Sequence, residues 1–341
     1  MRRDTRLARL GRGVMAAAGA VLMACSGAVS AGPVTAVSTA DARGWLLRIQ
    51  NAAVQRNYQG TLVVTAGGGM SSSRVAHYCA GDQVFERIDM LDGRVRRVYR
   101  HNDQVLTVWP ATKVAHAEQR DAVASFPAVV SGSVEQLFDR YDMIREGADR
   151  VAGHEAAVFL LRPRDGLRFA QRLWAERESG LLLRADVLAA DGSVLETAAF
   201  TDIAIGVRPQ PDSVLVPMKK LDGYRMAHST PQRAALDAEG WQFKSPVPGF
   251  KQISCVKRNL EAPGDGDRNA ATVLQTIFSD GLTNVSVFIE PLHAARHRSG
   301  GAAFGATHTL RQAHGLYGIT VIGDVPMATL KLFSAALERM R

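Results

Sequence analysis

The stretch TLVVTAGGGMSSSRVAHY, residues 61–78, brings together glycines and hydroxyl side chains of the kind that line phosphate-binding loops. Such a loop needs backbone N–H groups at a helix N-terminus, usually with a lysine nearby. Here serines and Arg74 follow the glycines, and both flanking segments alternate with the period of a strand. We therefore predict a hairpin turn at residues 67–69 rather than a phosphate site.

Histidines are the second group with candidate chemistry. His293 and His297 are four residues apart, and His308 and His314 lie close in sequence, so a metal site is conceivable. However, the segment HAARHRSGG has weak helical signals, and no H-E-x-x-H pattern supplies a general base. We expect solvated loop histidines, with no metal site and no cofactor.

Nucleophilic catalysis has no recognisable motif in this chain. The sequence lacks G-x-S-x-G, and no serine or cysteine sits at a predicted strand-to-helix elbow. Cys79 falls within a predicted hairpin, where we interpret it as a packed or edge residue. Cys79 and Cys255 leave three alternatives open: two free thiols, an interdomain bridge or an intermolecular bridge. We expect no catalytic residues and no enzymatic activity.

Arginines are more informative than histidines. They cluster on one predicted strand and on or beside a neighbouring pair of strands, namely Arg94, Arg96, Arg97 and Arg100, then Arg162, Arg164, Arg168 and Arg172. Strand alternation puts Arg96 and Arg100 on one face with Val98. Guanidinium groups suit lipid phosphates or partner carboxylates, so these three residues are candidate lipid-binding residues. A solvated outer sheet face is the alternative. Aromatic residues do not interleave with the arginines, which disfavours nucleic acid.

The first 31 residues resemble an export signal. They carry five arginines and one aspartate, and residues 14–24 form an apolar core too short to span a bilayer. Small residues at 28–31 offer a cleavage site, while LMAC at 22–25 offers the alternative of lipidation at Cys25. Removal of residues 1–31 lowers the formal net charge from +8 to +4. A net charge of +4 on the remaining chain is only weak evidence for a nucleic-acid partner.

Periodicity predicts a helix around Trp45, Ile49 and Ala53, capped by Ser38 or Thr39. A second helix is predicted at residues 134–141 and another after Pro326. Strands are expected at residues 60–66, 72–79, 83–90, 94–101, 104–109, 112–117, 154–162, 167–177, 181–190 and 193–205. The result is an antiparallel meander with helices, an unclosed barrel whose concave side suits an apolar ligand.

Prolines at 209, 211 and 217 mark the end of this first domain. We place a first domain at residues 32–216, with the concave side that suits an apolar ligand, a polar linker at 217–238 that is partly helical near 234–238, and a second domain at 239–341. The second domain is expected to contain two strands joined at Asp280-Gly281.

Several blocks of sequence carry a family resemblance. These blocks are WLLRIQNAAVQRNYQGTLVV, SSRVAHY, FERIDMLDGRVRRVYR, GWQFKSPVPGFKQIS, IFSDGLTNVSVFIEP and ITVIGDVP. Their order and spacing, over residues 41–335, resemble the RseB/MucB family, periplasmic negative regulators of the envelope-stress sigma factor of the sigma-E/AlgU type. The resemblance implies a mainly β fold with α elements (α+β): a LolA/LolB-like unclosed β-barrel around helices, then a smaller α+β domain.

The resemblance also implies a function. Family members bind the periplasmic part of a membrane-embedded anti-sigma factor (RseA/MucA-like), shield it from site-1 proteolysis and release it when lipopolysaccharide or lipid binds. We therefore expect a non-enzymatic regulator in the periplasm, with a homodimer left open. The alternative is a periplasmic lipid or lipoprotein carrier, which has no need of the second domain.

Overall fold

The fold was analysed in a computed structural model of the chain. It describes residues 35–36, 38–119, 126–128, 130, 132–229, 231–260, 271–292 and 298–340. The predicted export signal with Cys25 and the pair His293 and His297 lie outside these residues. Residues 33–341 form one compact unit.

Thirteen strands of the described residues form one sheet, called sheet A here. They are β1 (Thr35–Ala36), β2 (Tyr58–Ala66), β3 (Gly69–Ala80), β4 (Gln83–Met90), β5 (Arg97–His101), β6 (Gln104–Trp109), β7 (Val114–Gln119), β8 (Tyr141–Val151), β9 (His154–Pro163), β10 (Ala170–Glu176), β11 (Leu182–Leu188), β12 (Val194–Ile205) and β13 (Arg225–Ser229). Their order is β1-β8-β9-β10-β11-β12-β2-β3-β4-β5-β6-β7-β13, with β1 and β13 at its ends. The described strands thus form an unclosed sheet, as predicted.

The long helix α1 (Thr39–Gln55) lies against one face of sheet A, called the inner face here. Ser38 caps the helix by accepting the Asp41 N–H, as the sequence predicts. Leu46 and Ile49 are fully buried in a core cluster with Phe159 and other strand residues. The sheet wraps around this helix because the apolar stripe of the helix and the apolar faces of the strands must be buried against each other.

The outer face of sheet A carries a separate cluster under α3 (Asp212–Lys219). Val214 packs there with Tyr78, Phe85 and Tyr99. Pro217 lies inside the last turn of α3, and Lys220 N–H still reaches the Val216 carbonyl. The proline-marked segment therefore contains a helix that covers the sheet.

A second sheet, called sheet B, contains seven strands of the described residues in the order β14-β16-β17-β18-β21-β20-β19. They are β14 (Gln232–Arg233), β16 (Lys251–Leu260), β17 (Ala271–Ser279), β18 (Asn284–Pro291), β19 (Gly300–Phe304), β20 (Thr307–His314) and β21 (Tyr317–Gly323). The short strands β15 (Trp241–Phe243) and β22 (Leu337–Arg339) pair with each other. Helix α4 (Met327–Ala336) follows Pro326, as predicted, and buries Leu330 and Phe333 against sheet B.

The second helix is shorter than predicted. α2 (Val134–Phe138) is capped by Ser133, and Tyr141 begins strand β8, whose 11 residues the sequence analysis missed entirely. Tyr141 pairs with Pro163, and its hydroxyl donates to Asp280 in sheet B. Helical spacing assigned Tyr141 to the wrong element because its partner is distant in sequence.

The predicted linker is ordered over most of its length. β13 pairs in parallel with β7, and β14 pairs with β16. The helix expected near residues 234–238 is instead a turn, closed by the Gly240 N–H donating to the Asp237 carbonyl at 2.8 Å. Backbone pairing on both sides ties this segment to the two sheets.

The glycine run forms the β2–β3 hairpin turn that the sequence predicts. Gly67 and Gly68 have φ values of +54° and +78°, which suit glycine. A Cβ on Gly67 would lie 2.7 Å from the Phe304 ring of sheet B, whereas Gly68 faces open space. The turn is therefore also a contact between the sheets.

Candidate functional site

Val98 and Arg100 lie on the inner face of sheet A, as alternation predicts, and Arg96 lies beside Met90 just before β5. The register pairs Ile88 with Val98 and Glu86 with Arg100, and both partners lie on the inner face. Arg96 precedes β5, but its carbonyl accepts the Met90 N–H at 3.0 Å and its Nη2 lies 3.7 Å from Met90 Sδ. A role of the three residues in lipid binding stays a prediction.

Half-buried side chains cross the inner face beside these residues. Cross-strand pairing aligns Ile88, Val98, Thr107 and His116 on β4 to β7. Each is intermediate in exposure. This row offers a mixed apolar and polar surface that runs across the strands.

The charge of Arg100 is already matched by a carboxylate. Its Nη1 lies 3.1 Å from Glu86 Oε2, while Glu86 Oε1 lies 3.0 Å from His77 Nδ1. Burial raises the pKa of Glu86, but the hydrogen bond with His77 and the charge of Arg100 outweigh it and lower that pKa. An anion at Arg100 would therefore compete with Glu86, whereas Arg96 is exposed.

The second arginine group does not form an anion site. Arg162 and Arg164 lie 3.6 and 3.0 Å from Asp142, and Arg172 lies 2.5 Å from Glu146. The two pairs with Asp142 are exposed and add little stability, whereas the pair of Arg172 with Glu146 is half-buried. Partner carboxylates within the chain thus account for this arginine group.

Arg168 is the exception, because it is fully buried between the two sheets. Its Nε donates to Asp280 Oδ2 at 2.5 Å, and its Nη1 donates to Asp165 at 2.6 Å. Tyr141 donates its hydroxyl to the same Asp280 oxygen at 2.8 Å. Both side chains of the Arg168–Asp280 pair are 0% exposed. We call Tyr141, Arg168 and Asp280 the intersheet cluster.

The environment of this cluster fixes its charges. Burial would lower the pKa of Arg168, but Asp280 raises it, so the guanidinium stays charged. Burial, followed by the charge of Asp280, raises the pKa of Tyr141 well above its ordinary value, so its hydroxyl remains a donor. Asp280 also accepts the Leu282 and Thr283 N–H groups, which is the turn role that the sequence predicts.

A loop of sheet B connects the intersheet cluster to two cavities. Arg168 Nη2 donates to the Pro248 carbonyl at 2.8 Å, and its guanidinium lies 4.6 Å from the Phe250 ring centroid. A cavity of about 210 Å³ lies between residues 246–251 and the segment from Gln136 in α2 to Arg140 just after it. The loop at 246–250 therefore contacts both sheets.

The other cavity is an aromatic groove of about 530 Å³ in the C-terminal part of the chain. Its lining is mostly apolar and includes Leu236, Trp241, Phe243, Val247, Phe250, Phe278 and Phe333. Phe243 is half-exposed, with its ring 4.9 Å from that of Phe278. Sequence reasoning missed this groove because β15, the loop, β17 and α4 supply its residues from distant positions.

A third cavity, of about 380 Å³, lies on the outer face of sheet A beside α3. Arg74, Arg87, Asp89 and Asp202 line it, so its charges balance. Of these, Arg87 already bonds Asp89 at 2.8 Å. This cavity is polar, unlike the aromatic groove, and was not predicted.

Other predicted features can be located briefly. Cys79 and Cys255 are both free, so they form no interdomain bridge. His308 stacks edge-on to Phe169, and His314 lies 5.7 Å from Trp241, so the two contact different aromatic residues. Within the described ranges, no group of three or more metal-ligating side chains is found and no helix is long and apolar enough to cross a membrane.

Comparison with known proteins agrees with the sequence blocks. Family models for the MucB/RseB N-terminal domain and the MucB/RseB C-terminal domain match residues 41–219 and 235–338. The sigma factor AlgU regulatory protein MucB of Pseudomonas aeruginosa is 30% identical over 319 residues, covering 89% of this chain and 93% of that protein. The sigma-E factor regulatory protein RseB of Escherichia coli K12 is 26% identical over 302 residues, covering 86% and 90%.

Solved structures give the same result. The chain is similar to MucB in the Pseudomonas aeruginosa MucA/MucB complex, with a TM-score of 0.65, 27% identity and coverage of 88% of this chain and 99% of that one. It is equally similar to MucB in complex with MucA(peri), with a TM-score of 0.64. These relatives are regulatory proteins rather than enzymes, in agreement with the non-enzymatic prediction. The chain belongs to the MucB/RseB family.

Proposed function

We propose that this protein binds the periplasmic part of a membrane-embedded anti-sigma factor and so negatively regulates an envelope-stress sigma factor. The observation that supports this most strongly is the similarity, over 88% of the chain, to MucB structures that contain MucA. In this proposal the bound segment is protected from site-1 proteolysis and is released when lipopolysaccharide or lipid binds. The protein acts in the periplasm after residues 1–31 are removed.

The two activities are assigned to different sheets. The half-buried row on the inner face of sheet A, with Arg96 at its margin, is the proposed lipid site. The aromatic groove, which is large and apolar, is the proposed partner site. We propose that the intersheet cluster and the loop at 246–250 transmit changes in sheet A to the groove, because Arg168 contacts the loop that lines the groove.

Protection can be tested with the partner segment and a site-1-type protease. The protein should slow cleavage of the segment, and Phe243→Ala should weaken this protection because it removes one wall of the groove. Leu316→Ala is the matched control, since Leu316 is 83% exposed and its loss removes apolar surface elsewhere. Equal protection by both variants would place the partner outside the groove.

The proposed domains are residues 32–216 and 239–341, joined by residues 217–238. Support comes from the family models, whose matches end at residue 219 and resume at residue 235. Limited proteolysis should cut first between residues 217 and 240 and leave two folded fragments. First cuts within β9 to β12 would contradict these boundaries. Mass spectrometry of the exported protein should find an N-terminus at or near Gly32, whereas an acylated Cys25 would contradict cleavage there.

A lipid or lipoprotein carrier is the competing function. A carrier would need only sheet A, whereas residues 235–338 match the C-terminal domain of the regulators. A carrier should bind lipid without any change in affinity for the anti-sigma segment. The titration described at the end of the Discussion separates the two functions.

A further inference from the structure

A thiol, an imidazole and a carboxylate meet at the end of α1. His77 and Cys79 are two residues apart on β3, so both side chains lie on the inner face. The sulfur of Cys79 lies 3.4 Å from His77 Nε2, and His77 Nδ1 lies 3.0 Å from Glu86 Oε1. Glu86 is directly opposite His77 in the β3–β4 register. The geometry is a chain from thiol to imidazole to carboxylate.

The hydrogen-bond chemistry of this chain sets the imidazole tautomer. An ionised carboxylate only accepts hydrogen bonds, so His77 Nδ1 carries the proton that faces Glu86. In the neutral imidazole, Nε2 is then an acceptor facing the Cys79 sulfur. His77 is 2% exposed and stacks on Tyr58, with ring centroids 5.2 Å apart, which fixes its orientation. Nε2 lies 3.4 Å from the Cys79 sulfur and also 3.4 Å from the Val54 carbonyl oxygen, so in this tautomer it can take the thiol proton from a sulfur that both groups contact.

The resting state is a neutral thiol. Burial, followed by the charge of Glu86, raises the pKa of Cys79 above its ordinary value. In this state the sulfur lies 2.7 Å from the Val54 carbonyl in the last turn of α1, which accepts its S–H. A sulfur with a raised pKa is a strong nucleophile once deprotonated, so the adjacent base decides its reactivity.

We propose that Cys79, His77 and Glu86 form a thiol–disulfide exchange site that takes up a small-molecule disulfide. The Cys79 sulfur attacks one sulfur of the disulfide as His77 Nε2 accepts the thiol proton. The S–S bond of the reagent breaks, a mixed disulfide forms on Cys79, and the leaving thiolate takes the proton from His77. No other oxidant is required.

The adduct changes the contact between α1 and β3. Once Cys79 is a mixed disulfide, the Val54 carbonyl loses its S–H donor, and the added group must fit beside the end of α1. The position is on the inner face, at the same end as the Glu86–Arg100 pair. Modification therefore acts on sheet A directly, and the exchange reaction itself does not depend on the proposed function.

Cys255 is a matched control within the same chain. It is also half-buried, it lies opposite Thr276 on β17, and burial followed by the charges of Glu239 and Asp237 raises its pKa. Both thiols are half-buried and both have a raised pKa, but Cys79 has an imidazole nitrogen 3.4 Å from its sulfur, whereas the groups that shift the pKa of Cys255 are the carboxylates of Glu239 and Asp237.

The test measures each thiol alone. In a Cys25→Ser background, the chains Cys255→Ser and Cys79→Ser are reacted with 5,5′-dithiobis(2-nitrobenzoic acid), and the released coloured thiolate is followed. At neutral pH, Cys79 should react about tenfold faster than Cys255. This is less than the rate enhancement of about 100-fold or more that a well-positioned general base typically gives. His77→Gln should remove this advantage, and Glu86→Gln should reduce it.

A pH profile provides the second measurement, which needs no change at His77. The Cys255 rate should rise about tenfold per pH unit as its thiol ionises. The Cys79 rate should rise less steeply, because the proton acceptor is His77, which faces Tyr58, Glu86 and, through Glu86, Arg100. Circular dichroism checks that His77→Gln is folded; if it is not, the pH profile alone decides.

Three outcomes would overturn the proposal. The first is equal rates for the two thiols at neutral pH. The second is an unchanged Cys79 rate in folded His77→Gln. The third is coincident pH profiles for the two thiols.

Discussion

Replacing Asp280 with Asn should destabilise the protein more than any comparable surface substitution. The change keeps an oxygen for the Leu282 and Thr283 N–H groups but removes the charge that faces Arg168. Breaking a buried ion pair by removing one partner costs about 3–5 kcal/mol. Arg168 keeps its bonds to Asp165 and the Pro248 carbonyl, so we expect the lower end, about 3 kcal/mol.

Tyr141→Phe isolates a second contribution to the stability that the intersheet cluster provides. It removes only the hydroxyl that donates to Asp280 and should cost about 1.5 kcal/mol, as for a hydrogen bond to a charged group. Because both changes affect the same oxygen, the double variant should cost less than the sum of the single variants.

Asp142→Asn is the matched control. Asp142 also pairs with two arginines, but its side chain is 40% exposed, so we expect a loss of less than about 1 kcal/mol. Urea unfolding followed by circular dichroism and by tryptophan fluorescence gives the free energies and checks that both probes report one transition. If Asp280→Asn were no more destabilising than Asp142→Asn, the intersheet cluster would not hold the sheets together.

Three further outcomes are expected. Gly68→Ala should lower the free energy of unfolding by about 1 kcal/mol, because the backbone there is left-handed. Gly67→Ala should lower it by about twice as much, because its methyl group would also clash with the ring of Phe304 in sheet B. Thermal unfolding of the two variants compares these losses. The pKa of Glu86 is lowered on folding, so its ionised side chain stabilises the fold above the ordinary glutamate pKa, and this stabilisation is lost as pH falls through the folded pKa. Glu86→Gln should therefore make the free energy of unfolding depend less steeply on pH in the acid range. Burial and the charge of Asp324 raise the pKa of Glu196, so the ionised side chain disfavours the fold at neutral pH; Glu196→Gln should therefore stabilise the protein by about 0.5 kcal/mol in the same assay.

Local signals predicted much of the fold. Ser38 and the apolar spacing identified α1, and an Asp-Gly pair identified the turn at residues 280–281. Alternation of Val98 and Arg100 on β5 also proved correct, because strand periodicity is a local property, but the strand begins at Arg97 and so excludes Arg94 and Arg96, which were predicted to belong to it. The β2–β3 turn followed from its glycines and from the strand periodicity of the segments on either side.

The features that bring the sheets together could not be read from local signals. Arg168 and Asp280 are 112 residues apart, and the sequence around each residue gives no sign that its side chain is buried. Tyr141 fitted a helical stripe but begins a strand, since its contact with Asp280 overrides local spacing. His77 and Cys79 did carry a signal, because two-residue spacing on a strand places them on one face, but Glu86 becomes part of the group only through the β3–β4 register.

The central claim is that lipid on sheet A weakens binding of the anti-sigma factor. Calorimetric titration of its periplasmic segment into the wild-type protein, with and without saturating lipopolysaccharide fragments, measures this directly. A coupling of about 1–3 kcal/mol, typical of allosteric proteins, predicts affinity that is weaker by about 5-fold to 150-fold with lipid. Arg96→Ala combined with Arg100→Ala should reduce this effect of lipid more than it reduces partner affinity. Unchanged partner affinity at saturating lipid would contradict the claim.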